Sequence, residues 1–131
     1  MNAVINFFKP FDKRLGSLSS VGGSEFDTRP ISGEIRRLDL IASSLGHNHI
    51  DVLKMDIEGA EYEVIQSLLE MSGLRIDQIL IEFHHRFSGI TKVQTRKAVK
   101  QIKSLGFKLV SVSPSGEEYG FANSAFLDST A

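Results

Sequence analysis

From Ile31 onward, short apolar runs alternate with segments of helical period. This alternation confines the chain to a layered α/β fold. The runs are IDVLKMD, IDQILIEFHH and FKLVSVS, each short and bounded by turn or polar residues as strands are. Between the first two, AEYEVIQSLLEMSG places Ala60, Val64, Ile65, Leu68 and Leu69 on one helical stripe and ends in glycine. Between the second and third, TKVQTRKAVKQIKSLG opens with Thr91 and Gln94 at capping-box spacing. Its Ala98, Val99, Ile102 and Leu105 face a core, and Lys97, Lys100 and Lys103 face water. Upstream, ISGEIRRL reads as a strand, and LDLIASSLG as a helix with Leu38, Ile41, Ala42 and Leu45 on one face, closed by Gly46. EEYGFANSAFL supplies a last strand after the PSG turn. The expected order is strand, helix, strand, helix, strand, helix, strand, strand, in a mostly parallel sheet with IDVLKMD covered on both faces.

Residues 1–30 read differently. A short strand is expected around Ala3 to Phe8, followed by a long loop rich in glycine and serine. Loops of that length are functional or disordered, so this segment is expected to be partly disordered, with residues 31–131 forming the folded α/β part. The chain of 131 residues, 41% hydrophobic, suffices for one domain with a core. A net charge of -1 argues against a nucleic-acid footprint or a basic membrane patch. The absence of cysteine excludes a disulfide framework and a zinc-thiolate site. The apolar part of AVINFF is too short for a signal segment, and a cytoplasmic location is the default expectation.

The chemistry concentrates in KMDIEGAEYEV. Ligands bind outside the carboxyl ends of strands in open parallel sheets. Two runs end there in polar groups, the first in Asp56 and Glu58 and the second in Glu82, His84 and His85. Residues two apart on a strand share a face, so Asp56 pairs with Glu58 and Glu82 with His84. Gly59 lets the backbone turn from strand to helix. Glu61 and Glu63 fall in a first helical turn, where carboxylates favour the positive dipole end by roughly 0.3–1 kcal/mol each. Lys54 extends along the sheet or pairs with a neighbouring acid. A carboxylate beside an imidazole suits general-base work on a hydroxyl. Four hard or borderline ligands, Asp56, Glu58, Glu82 and His84, equally suit Mg²⁺ or Mn²⁺. The spacing matches no zinc signature, and no resident metal is assigned.

IDVLKMDIEGAEYEVIQSLL followed by IDQILIEFHH closely resembles the FkbM-type methyltransferases. The resemblance implies a Rossmann-like sheet, S-adenosylmethionine as cofactor and O-methylation of a small molecule or sugar. In its terms LKMDIEGAE ends the fourth strand and IEFHH the fifth. GSLSS is similar to a serine-containing loop, and GFKLVSVSPSGEEYGFAN to the closing strands. It implies catalytic roles for Asp56, Glu82 and His84 and cofactor contact for Asp56 and Glu58, with Glu61 lining the pocket. Before Asp56 nothing reads as an acidic, glycine-rich cofactor loop after a strand; VGGSE lacks the strand ahead of it. The chain is therefore expected to begin near the family's third strand, with the main cofactor-binding half missing. A partial sheet exposes an edge, and a homodimer through that edge is the partner expected beside the small-molecule acceptor. Two rivals stand beside this reading. One is a non-catalytic module of the same fold acting in assembly, the other a small metal-dependent hydrolase.

Overall fold

The computed structural model describes residues 3–7 and 31–130. The Gly/Ser-rich stretch and both GSLSS and VGGSE lie outside the described residues. Strands β1 (Ala3–Phe7) and β2 (Ile31–Ile35) pair antiparallel as a ribbon of their own. Then follow α1 (Leu38–Ser44), β3 (His49–Met55), α2 (Glu61–Leu68), β4 (Arg75–Glu82), α3 (Lys92–Ser104), β5 (Phe107–Val112), β6 (Glu118–Asn123) and α4 (Ser124–Thr130). The element order expected from Ile31 holds, with α4 added at the end. None of the described helices is long and apolar enough to cross a membrane.

The second sheet has the order β3-β4-β6-β5. Strands β3 and β4 are parallel, whereas β6 runs antiparallel to both β4 and β5. The sheet is mixed, which corrects the expectation of a mostly parallel one. The turn after β5 is tight, with Ser113 N–H donating to the Glu118 carbonyl, so β6 returns against β5 as a hairpin. It then enters between β5 and β4.

Helices α2 and α3 lie against each other and share one core with the sheet, built on Ile65, Leu68, Ile79, Ile81, Phe83, Ala98, Ile102 and Phe121. Burial of each such large side chain contributes about 1.5–3 kcal/mol. The capping box of α3 forms as expected: Gln94 N–H donates to Thr91 Oγ1, and Thr91 N–H to Gln94 Oε1. The Lys97, Lys100 and Lys103 face is exposed.

Two expectations about burial fail. Along β3 only Met55 is buried and Val52 is exposed, because the parallel pairing puts Val52 on the same open sheet face as Leu80. In α1, Ala42 is buried and Leu38 half-buried, but Ile41 and Leu45 stand in solvent. The helix nonetheless ends as read, with Gly46 at φ 73 and the His47 N–H returning to the Ala42 carbonyl. The sheet face away from α2 and α3 is open. Leu80, between the sealed Ile79 and Ile81, is 43% exposed, and Val110 at the bulge of β5 is 57% exposed.

Candidate functional site

Parallel pairing of Met55 with Ile81 brings the carboxyl ends of β3 and β4 side by side. The loop after β3 then takes two left-handed steps, Glu58 at φ 55 and Gly59 at φ 103. Glycine meets that demand at no steric cost, whereas Glu58 carries about 1–2 kcal/mol of strain. Strand alternation is thus not what aims Glu58, since Asp56 and Glu58 both follow the last residue of β3.

The loop is held by the first residue of the next helix. Glu61 is fully buried, and its Oε1 accepts the N–H of Ile57 and of Gly59, each at 3.2 Å. The same oxygen accepts from His84 Nδ1 at 2.7 Å. Because Oε1 accepts all three bonds, Nδ1 carries the hydrogen, and Nε2 points the other way. There it meets Glu58 Oε2 at 3.4 Å, Asp56 Oδ1 at 3.7 Å and Glu82 Oε1 at 3.8 Å. The other oxygen of Glu61, Oε2, is buried without a hydrogen-bond partner among the described residues.

His84 is 1% exposed, while Asp56, Glu58 and Glu82 reach solvent. Burial pushes the imidazole toward its neutral form. The hydrogen bond and charge of Glu61, aided by Glu58, outweigh that push and hold its pKa above the ordinary value despite Arg86. Phe87 lies against the ring with centroids 4.9 Å apart. Tyr62, Phe83 and Tyr119 form a separate run of aromatic contacts, Phe83 meeting Tyr119 edge-on at 5.1 Å. The imidazole is thus held by Glu61 at Nδ1 and by Phe87 against its ring.

Cations flank the acids. Lys54 Nζ lies 3.4 Å from Asp56 Oδ2, as its position beside the acid suggested. Arg86 bridges Glu82 at 3.4 Å and Glu117 of the β5–β6 turn at 3.0 Å. Next to this cluster, on the open sheet face, a cavity of about 470 Å³ is lined by Lys54, Leu80, Glu82, Ser111, Glu118 and Gly120 among others.

The structure thus brings together Asp56, Glu58, Glu82 and His84, the four residues singled out in the sequence. His85 stands apart and half-buried, with its Nδ1 3.3 Å from Thr95 Oγ1. Glu63 is exposed on α2, consistent with a helix-end charge. Glu61 is different from that expectation: it anchors the loop and the imidazole from inside. One signal for it stood in the sequence, since Glu61 occupies the stripe adjoining Ile65 and Leu68. Arg86 and Glu117 carried no signal, because they meet only through the hairpin.

Residues 5–109 match the methyltransferase FkbM domain. The chain is 31% identical over 75 residues to AMB antimetabolite synthetase AmbE of Pseudomonas aeruginosa, an alignment covering 57% of this chain and 4% of that protein. It is 40% identical over 55 residues to probable methyltransferase-like protein 24 of Rattus norvegicus and of Homo sapiens, covering 41% of this chain and 15% of each relative. The chain therefore spans only a small part of the curated relatives it matches. No solved structure shows a significant match. On the family match across most of its length, this chain belongs to the FkbM methyltransferase domain family.

Proposed function

We propose that the cluster around His84 serves methyl transfer from S-adenosylmethionine to a hydroxyl group of a small molecule or sugar. The observation that carries this reading is the convergence of Asp56, Glu58 and Glu82 on one anchored imidazole, in a chain of the FkbM family. The donor set fits the cofactor in charge: carboxylates of Asp56 and Glu58 suit a cationic sulfonium, and the adjoining cavity of about 470 Å³ offers room for part of a nucleoside. S-adenosylmethionine supplies an electrophilic methyl carbon, so that the C–O bond forms as the C–S bond breaks and a neutral thioether leaves.

The chain's own residues orient and deprotonate. Asp56 and Glu82 meet the acceptor hydroxyl, because their oxygens reach solvent and those of Glu61 do not. One of these carboxylates takes the hydroxyl proton, and His84 stands behind them as their support. Glu61 keeps the ring oriented throughout. Alignment of nucleophile, carbon and leaving sulfur contributes most of the acceleration. The reading includes self-association through the outer edge of β3, which has one sheet neighbour among the described residues.

Calorimetric titration with S-adenosylhomocysteine, at protein concentrations that permit dimers, tests the reading. Micromolar binding that is lost in Asp56→Ala is expected. Absence of binding at millimolar ligand would overturn it and favour a module whose role is assembly.

A further inference from the structure

We infer that Asp56, Glu82 and His84 form a site for one divalent cation of the Mg²⁺/Mn²⁺ class, with Glu58 at its margin. One ligand atom from each of the three residues lies within 4.8 Å of the others. Two ligands held about 2.1–2.3 Å from a shared ion stand about 3.0–4.6 Å apart, depending on the angle between them. The separations of His84 Nε2 from Asp56 Oδ1 and Glu82 Oε1, 3.7 and 3.8 Å, fall inside that range.

The second observation is the imidazole itself. His84 is sealed at 1% exposure, and its Nδ1–H is spent on the buried Glu61. Nε2 is thereby aimed into the acids by the fold, and it cannot rotate away. Yet its carboxylate neighbours stand 3.4 to 3.8 Å off, beyond the roughly 2.7–2.9 Å of a direct charge-assisted bond. A lone pair facing several carboxylates is repulsive unless a metal ion or a proton lies between them. A buried carboxylate on the far ring nitrogen is the usual support of a metal-bound histidine.

A second cluster in the same sheet shows the contrast. At the opposite end of β3 and β4, His49, Asp51 and Asp77 carry similar ligand types. There His49 Nε2 already bonds Asp77 Oδ2 at 2.8 Å, and Arg75 occupies the other oxygen at 2.8 Å. In that cluster the imidazole and both carboxylate oxygens of Asp77 are already hydrogen-bonded. The His84 cluster is open, and its outer oxygens face solvent through which an ion enters. If the methyl-transfer reading holds, on which this last point rests, the ion gives the acceptor oxygen a binding position beside Asp56.

Electron paramagnetic resonance of Mn²⁺ titrated into the full chain, without cofactor, tests the site. The aqueous signal should fall by one ion per chain, at up to millimolar Mn²⁺. Asp56→Asn and Glu82→Gln alter partly exposed side chains and should each weaken uptake at least tenfold with the melting temperature of the ion-free chain kept. Asp51→Asn should leave uptake unchanged. No uptake at millimolar Mn²⁺ overturns the inference and leaves a proton as the cation on Nε2. Uptake that survives the Asp56→Asn/Glu82→Gln pair also overturns it, as does uptake lost in Asp51→Asn. Binding of S-adenosylhomocysteine in excess chelator is scored separately, so failure of the metal site and failure of the methyltransferase reading are told apart.

Discussion

Glu61 Oε1 and His84 Nδ1 lie 2.7 Å apart, and both side chains are closed to solvent. One belongs to the start of α2 and the other follows β4, so the bond locks a helix to the end of a strand. Removing one partner of a buried, charge-assisted hydrogen bond strands the other, at a cost of about 1–3 kcal/mol. Glu61→Ala should therefore cost about that much in urea denaturation, well beyond the few tenths a helix-end charge contributes. A loss under about 1 kcal/mol would return Glu61 to the role the sequence alone assigned it.

Glu58 allows stability to be separated from function. It adopts φ 55, where a glycine is unstrained. Glu58→Gly relieves the strain and adds chain entropy to the unfolded state, so stability should hold or rise by up to about 1 kcal/mol. Ligand binding at the cluster should fall in the same variant. A drop in stability beyond about 1 kcal/mol would mean that the carboxylate's contact with His84 holds the loop.

Asp77 supplies a pH dependence away from the site. Burial alone would raise its pKa, but hydrogen bonds and charge from His49 and Arg75 prevail and hold it below 3.8. A depressed carboxyl contributes stability above its unfolded value and loses it as pH falls through the folded one. The stability difference between the wild-type chain and Asp77→Asn should thus be constant above pH 4 or so and shrink at lower pH. Denaturant titrations from about pH 6 to pH 2.5 measure it; a difference independent of pH would remove the ionic account.

Much of this is legible in the sequence. The capping box of Thr91 and Gln94, the Gly46 and Gly59 turns and the polar ends of two adjacent strands are local patterns, and local patterns survive folding. The mixed sheet was not legible, because strand direction between β4 and β6 is set by a pairing some forty residues apart. Nor was the sealing of Glu61 and His84, since a carboxylate at a helix start reads as a dipole partner until the neighbouring strand is in place. The uncovered face of β3 likewise depends on what packs beside it, which the IDVLKMD run does not encode.

Gly120 marks the closest approach on the open face. A Cβ there would collide with Ser111 Oγ, while Leu80 stands at ordinary contact distance. Gly120→Ala should cost about 1 kcal/mol, the low end of overpacking because a hydroxyl can rotate. The cost should vanish in a Ser111→Ala background. If the same penalty persists there, backbone rather than that hydroxyl sets the limit.

The hairpin that delivers β6 between β4 and β5 also fixes an order of events during synthesis. A nascent chain that has emerged only as far as Val112 holds β4 and β5 with no strand between them, and each presents a bare row of amides and carbonyls. Phe121, one of the most deeply sealed side chains, arrives later still. The sheet therefore closes from its middle, once Glu118–Asn123 is available. Until β6 has emerged, β4 and β5 present two sticky edges to shield, and Glu118–Asn123 is the segment that closes them.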